Sequence, residues 1–193
     1  MNTKKGFTLL ELLIVIGILA ILSTTIVLVI NPAELLKKAR DSQRISDLNT
    51  VKTAIALYIT ETTDPDIGDS TKSYSDVAGN MCFGTPSTAT STAATIDGWI
   101  PIAFNDMAGG SPIGSLPRDP SQSVLNGDYY YSYGANADLT FKLVANLEST
   151  NYSSGGPGDV ESTDGGTEPS LYEVGTDLTR TLIAADPTCY PNR

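Results

Sequence analysis

Histidine is absent from this sequence, and basic residues are scarce. Without histidine the chain lacks the commonest general base and the commonest zinc ligand, so acid–base or metal chemistry would fall to carboxylates. The 12 Lys and Arg residues are outnumbered by 22 Asp and Glu, giving a formal net charge of −10. Nucleic-acid binding needs clustered cations. The sequence therefore predicts no enzyme, no cofactor, no metal site and no direct nucleic-acid site.

Cysteine is almost as rare, with only Cys82 and Cys189 present. The pair has neither the CxxC spacing nor the neighbouring histidine of a metal site. Domains exported from the cytosol commonly close an even number of cysteines into disulfides. We expect a Cys82–Cys189 disulfide if this part of the chain is exported, whereas two unrelated buried thiols are the alternative if it stays in the cytosol.

Charge is distributed unevenly along the chain. Residues 63–193 carry five basic and seventeen acidic residues, whereas residues 1–62 carry seven basic and five acidic ones. After Thr62 the composition also shifts to Asp, Ser, Thr, Gly and Pro. The two regions are therefore expected to face different surroundings, and a chain of 193 residues suits one compact head joined to one long element.

The apolar run from Phe7 to Ile30 contains 24 residues, no proline and a single charge, Glu11. As a helix it would be about 36 Å long, enough to cross a hydrocarbon core of about 30 Å. Lys4 and Lys5 before it favour a cytoplasmic N-terminus. The run is longer than that of a secretory signal peptide, and no A-x-A-like site follows it. A plain membrane anchor would leave Glu11 unexplained, since a buried carboxylate needs a partner.

The string KKGFTLLELLIVIGILAIL, at residues 4–22, resembles the class III signal of type IV prepilins and of type II secretion pseudopilins. The resemblance implies that a prepilin peptidase cuts between Gly6 and Phe7 and methylates Phe7. It also implies that Glu11 of one subunit neutralises the Phe7 amine of a neighbour during assembly. A buried pair of this kind would fix the register of the subunits more than it would stabilise them.

After the apolar run, Asn31-Pro32 leads into a second segment that reaches Thr62. Proline lacks the amide hydrogen that a helix needs, so Pro32 predicts a kink or local melting before the helix resumes. Apolar residues then recur at spacings of three and four, which predicts one buried helix face beneath the head. This stripe consists of Ile45, Leu48, Val51, Ile55 and Tyr58.

The basic residues of the second segment allow two interpretations. Lys37, Lys38 and Arg40 follow the apolar run directly, where they could contact anionic headgroups or acidic neighbouring heads, or lie on a solvated face with local ion pairs. For Arg44 and Lys52 we favour the solvated face.

In the head, alternating residues from Tyr129 to Ala145 predict an antiparallel hairpin whose apolar face packs on the helix stripe. Leu171–Val174 is a candidate third strand. The tyrosines could instead form a carbohydrate platform, although a half-buried sheet face is favoured. Thr85–Gly98 is expected to be a surface loop, and Leu116–Pro120 resembles the loop that leads into the sheet in pilins and major pseudopilins.

Together these features predict an α+β protein in which a long N-terminal helix packs on a small antiparallel sheet with long loops. The expected parts are a leader at 1–6, a membrane-spanning and filament-core helix at 7–30, an amphipathic half at 31–62 and an extracytoplasmic head at 63–193. The resemblance implies a pilin of a type IV pilus-like filament, for adhesion, motility or DNA uptake. A pseudopilin of type II secretion is the alternative.

The same resemblance implies the partners and the location of the chain. It would be processed by prepilin peptidase, held in the inner membrane as a single-pass protein, and passed by an assembly platform into a surface filament of itself and related pilins.

Overall fold

The computed structural model describes residues 6–77, 82–122 and 129–181, and side chains at 27–30 are outside that description. Two compact units divide at Lys37 and Lys38. The elements in chain order are helices α1 (Leu9–Ile30) and α2 (Pro32–Glu61), strands β1 (Lys72–Ser75) and β2 (Thr85–Pro86), a 3-10 turn (Phe104–Asp106), and strands β3 (Tyr131–Ala135), β4 (Phe141–Ala145) and β5 (Tyr172–Gly175). The α+β class is confirmed.

The helical segment is interrupted at Asn31, between α1 and α2. Asn31 takes the left-handed conformation, with φ 45° and ψ 77°. Its carbonyl accepts hydrogen bonds from the amides of Glu34 and Leu35, at 3.0 and 3.3 Å. Pro32 is the first residue of α2, a position where its missing amide hydrogen costs nothing. The interruption thus combines a residue that tolerates the left-handed region with a proline that starts the next helix.

The sheet has the strand order β2-β1-β3-β4-β5. The predicted hairpin is β3 and β4, paired antiparallel from Tyr131 opposite Ala145 to Ala135 opposite Phe141. The predicted third strand is β5, which pairs antiparallel with β4. The first two strands were not predicted, and β1 pairs with β2 in parallel. The sheet is therefore mostly, but not wholly, antiparallel.

One face of the sheet packs on the predicted helix stripe. Leu48, Val51 and Ile55 of α2 are completely buried, and they share one hydrophobic core with Tyr131 and Tyr133 of β3. The tyrosine hydroxyls are satisfied inside this core, since Tyr131 donates to Asp47 at 2.8 Å and Tyr133 donates to the carbonyl of Ile67 at 2.7 Å. These rings are completely buried, so the sheet face that they form belongs to the core, and a platform of exposed rings is excluded for them.

The opposite face of the sheet is also buried, contrary to the predicted alternation of apolar and polar faces. Lys142 on β4 is 0 % exposed and forms an ion pair with Glu173 of β5. Its ammonium also donates to Thr167 Oγ1 at 3.1 Å and to the carbonyl of Leu178 at 3.0 Å. The loops after β4 and β5 thus enclose a lysine that the pattern had placed in solvent, and the enclosed charge is paired as burial requires.

Candidate assembly site

The start of α1 presents the predicted processing and assembly residues together. Gly6 and Phe7 are exposed, Phe7 by 86 %. A Cβ atom built on Gly6 would meet nothing within 4 Å, so the fold of the chain does not itself require glycine there. The peptide bond between Gly6 and Phe7 is therefore sterically open to a protease.

Glu11 and Thr8 form a capping box at the N-terminus of α1. The carboxylate oxygen Oε2 of Glu11 accepts hydrogen bonds from the backbone amide and the hydroxyl of Thr8, each at 2.8 Å. The Thr8 hydroxyl in turn accepts from the Glu11 amide at 3.2 Å. Such reciprocal bonds satisfy amides that have no partner within the helix. Within one chain, Glu11 therefore has a local structural role, and the predicted bond to a neighbouring subunit is an additional one.

The rest of α1 is apolar on every side. The window Leu9–Ile26 has a mean hydropathy of 2.5 and is 0 % buried. Leu13, Ile18 and Leu19 are each more than half exposed, although they lie on different sides of the helix. A helix that is hydrophobic all round needs a lipid or protein environment. Within the described residues it is the one helix long and apolar enough to span a membrane.

In the head, α2 is joined to the sheet by a buried ionic cluster centred on Arg44. The guanidinium of Arg44 is fully buried and donates to Asp41 at 2.7 Å, to both carboxylate oxygens of Asp119 at 2.7 and 2.8 Å, and to Glu148 at 2.6 Å. The same guanidinium lies 4.8 Å from the ring centre of Tyr129. Among the described residues no group of His, Cys, Asp or Glu is arranged to hold a metal ion, and here arginine supplies the positive charge.

The carboxylates of this cluster also hold backbone segments in place. Asp41 accepts the amides of Glu148 and Ser149, at 2.9 and 2.7 Å. The amide of Asp119 donates to the buried Asp76, which also accepts the amide of Tyr131, both at 2.9 Å. Burial raises the pKa of Asp76 to about 7, although these two amides partly offset that effect. Helix α2, the segment at Asp119, and strands β1 and β3 are therefore connected through charged groups.

Arg44 corrects one prediction, because it had been assigned to a solvated face. A signal for its true position was present in the sequence. Asp41 and Arg44 extend the buried stripe of Leu48, Val51 and Ile55 toward the N-terminus at the same alternating spacing of three and four. The buried face of α2 thus continues through two charged residues, and hydropathy alone could not reveal this.

The other basic residues of α2 differ in the contacts that the structure shows for them. Arg40, considered a candidate for headgroups or neighbouring heads, pairs with Glu148 of its own chain, and its side chain is 34 % exposed. Lys37, Lys38 and Lys52 are partly exposed. Their predicted environments stay predictions.

Of the predicted cysteine pair, only Cys82 lies within the described residues. It is completely buried, and its Sγ atom lies 3.4 Å from the hydroxyl oxygen of Tyr130. Cys189 lies outside the described residues. The predicted disulfide therefore stays a prediction.

The beginning of the chain also matches a known family model. Residues 1–27 match the model described as the prokaryotic N-terminal methylation motif. The chain carries the class III signal of type IV pilins and pseudopilins. This motif indicates a structural, prepilin-like protein, and together with the apolar helix α1 it fits anchoring in the membrane before assembly. No match to a curated protein was found. None was found to a solved structure either.

The pKa of Glu148 gives a test of the ionic cluster in this prepilin-like chain. Burial acts to raise the pKa of Glu148, but hydrogen bonds from Arg40, Ser121 and Arg44 outweigh it and hold the pKa at about 2. Because the folded-state pKa lies below the ordinary value, the contribution of Glu148 to stability is present above pH of about 4.5 and is lost as the pH falls through about 2.

We therefore expect Glu148→Gln to lower the free energy of unfolding by about 3 kcal/mol near neutral pH and by progressively less in acid. Trp99 is the single tryptophan and is fully buried, so its fluorescence can report urea unfolding of the detergent-solubilised chain. A difference between variant and wild type that does not shrink between pH 5 and pH 2 would contradict this assignment.

Proposed function

We propose that the chain is a pilin, a structural subunit of a type IV pilus-like filament that assembles through α1. The observation that carries the proposal is an exposed helix, apolar on all sides, most of which lies within the matched methylation motif. Such a helix suits lipid before assembly and neighbouring copies afterwards. The filament would serve adhesion, motility or DNA uptake, and the inner membrane and an assembly platform would be the earlier partners of the chain.

A pilus subunit is favoured over a secretion pseudopilin by the composition of the head. The head devotes much of its length to long connections between strands, such as the one from Ala145 at the end of β4 to Tyr172 at the start of β5, and it is strongly acidic. A subunit displayed on a surface filament can use such connections for external contacts.

Processing gives the direct test of the proposal. We expect the mature subunit to begin at Phe7 with a methylated amine, because Gly6 and Phe7 are exposed and lie within the matched motif. Intact-mass and N-terminal peptide spectrometry of purified filaments would measure this. Gly6→Ala provides a matched variant, since a methyl group at Gly6 meets nothing within 4 Å, and any loss of cleavage then reports recognition by the peptidase. A mature subunit that retains Met1 would contradict the proposal.

The disulfide is a second element of the proposal. We expect Cys82 and Cys189 to be bonded in the exported head, since the head would fold in an oxidising compartment. Free thiols should therefore be undetectable in the denatured protein until a reductant is added. Equal thiol titres with and without reductant would exclude the bond.

A further inference from the structure

From Lys38 onward, only two large apolar side chains are exposed among the described residues. They are Leu57 on α2, 41 % exposed, and Ile96 in the loop before Trp99, 64 % exposed. Single exposed apolar side chains are common in proteins. Here, however, each of the two belongs to a well-defined surface.

Leu57 lies in a shallow groove of about 410 Å³ between α2 and the segment at Pro112. The lining includes Thr50, Thr53, Ala54, Leu57, Pro112 and Ile113. Thr50 and Thr53 donate their hydroxyls to backbone carbonyls of α2, each at 2.8 Å. These two hydroxyls need no outside partner, so an apolar group can cover them without leaving their donors unsatisfied.

Ile96 is held outward on a tight turn. The amide of Gly98 donates to the carbonyl of Thr95 at 2.9 Å and closes the turn around Ile96. Ser91 pairs with Gly98, and its carbonyl accepts the amide of Trp99 at 2.8 Å. Because Trp99 is completely buried, the turn is fixed to the core of the head. A side chain that is already fixed loses little conformational entropy when it binds.

Charge favours contact between these two surfaces of neighbouring copies. Thr85–Ile96 contains no charged residue, and none lines the described groove. Two strongly acidic heads repel each other, so they should meet through their neutral surfaces. One pair of charges near the two surfaces is opposite in sign. Asp97 follows Ile96, and Lys52 lies one helical turn from Asn49, which lines the groove.

We propose that in the filament Ile96 of one copy inserts into the Leu57 groove of the next copy, with Asp97 close to Lys52. This inference rests on the proposed function, since α1 would bring the heads together. Each copy carries one Ile96 turn and one groove at separate places, so the contact is heterologous and can continue through an open array. The contact is small and would be weak between free heads. Within a filament the heads are held at a high effective concentration, so even a weak contact can form.

Disulfide trapping in filaments of the full chain tests the contact. Ile96→Cys and Leu57→Cys, introduced into the same chain, should give a ladder of covalent oligomers beyond the dimer after mild oxidation, and reductant should collapse it. Ile96→Cys alone should give no ladder. Ile96→Cys with Ser154→Cys, at an exposed turn outside both surfaces, is the matched control and should also give none. Thr53→Cys, on the groove wall, replaces Leu57→Cys if that change disturbs assembly.

The charged border gives a second measurement. Lys52→Glu and Asp97→Lys should each reduce the yield of the ladder by about fivefold, the upper range for an exposed ion pair, and the combined change should restore it. Filaments that assemble normally yet give no ladder with either groove cysteine would overturn the contact and leave the proposed function intact. If the wild-type chain were processed but never formed filaments, that result would contradict the proposed function and therefore this contact as well.

Discussion

Glu11→Gln is expected to leave synthesis, membrane insertion and cleavage largely intact while sharply reducing filament assembly. Cleavage after Gly6 would create a positively charged amine on Phe7 at the start of an apolar helix. If that amine is buried against a neighbour, it needs a counter-charge, and removing one partner of a buried pair costs about 3 to 5 kcal/mol. The processed subunit should therefore accumulate in the membrane, as measured by fractionation and by the yield of sheared filaments.

The capping box makes glutamine the most informative substitution. In the single chain Glu11 caps the helix through Thr8, and glutamine can fill the same position of a capping box. Glu11→Gln thus removes the charge and keeps the cap, whereas Thr8→Ala weakens the cap and keeps the charge. We expect Thr8→Ala to assemble and Glu11→Asp to be intermediate because its side chain is shorter. Normal filaments from Glu11→Gln would show that Glu11 acts only within its own helix.

Arg44→Met is expected to destabilise the head by about 3 to 5 kcal/mol, the usual cost of breaking a buried ion pair. Methionine would fill part of the volume but would leave Asp41, Asp119 and Glu148 without their shared cation. Asp41 and Asp119 are almost completely buried, so water cannot replace the lost bonds without opening the core. Urea unfolding of the solubilised chain, followed by Trp99 fluorescence, would measure the loss.

Arg40→Met is the matched control for that substitution. Arg40 occupies the same helix and pairs with Glu148 alone among the described groups, but it is partly exposed. Its loss should cost no more than about 1 kcal/mol, as for exposed ion pairs. If Arg44→Met and Arg40→Met proved equally mild, the cluster would not be what joins α2 to the sheet.

Periodicity in the sequence was sufficient to predict the long elements. The apolar run predicted α1, and the spacing of Leu48, Val51 and Ile55 predicted the buried face of α2. The alternation of residues along the chain predicted β3 and β4. Periodicity could not assign the buried charges. Arg44 and Lys142 lie at buried positions of α2 and β4. Their charges can be buried there only because carboxylates distant in the sequence form ion pairs with them.

The short strands escaped prediction for a different reason. The strand β1 is four residues, KSYS, and β2 is two residues, so neither is long enough to show a period. The alternation predicted from Tyr129 to Ala145 also continued through Leu139, although β4 starts only at Phe141. Leu139 has a φ of 64° and belongs to the turn, which the apolar pattern could not reveal. These features depend on pairing partners and on loop geometry instead of local preference.

The position of the Arg44 cluster has a mechanical consequence. Arg40, Asp41 and Arg44 lie near the N-terminal end of α2 and bond to distant segments of the head, so a pull transmitted along the chain from the N-terminal side reaches the head at these side chains. These side chains bind the segments at Asp119 and Glu148 through several hydrogen bonds that involve charged groups. Tension would therefore be shared among bonds that must break together. This end of α2 is the point at which we expect the head to resist mechanical force.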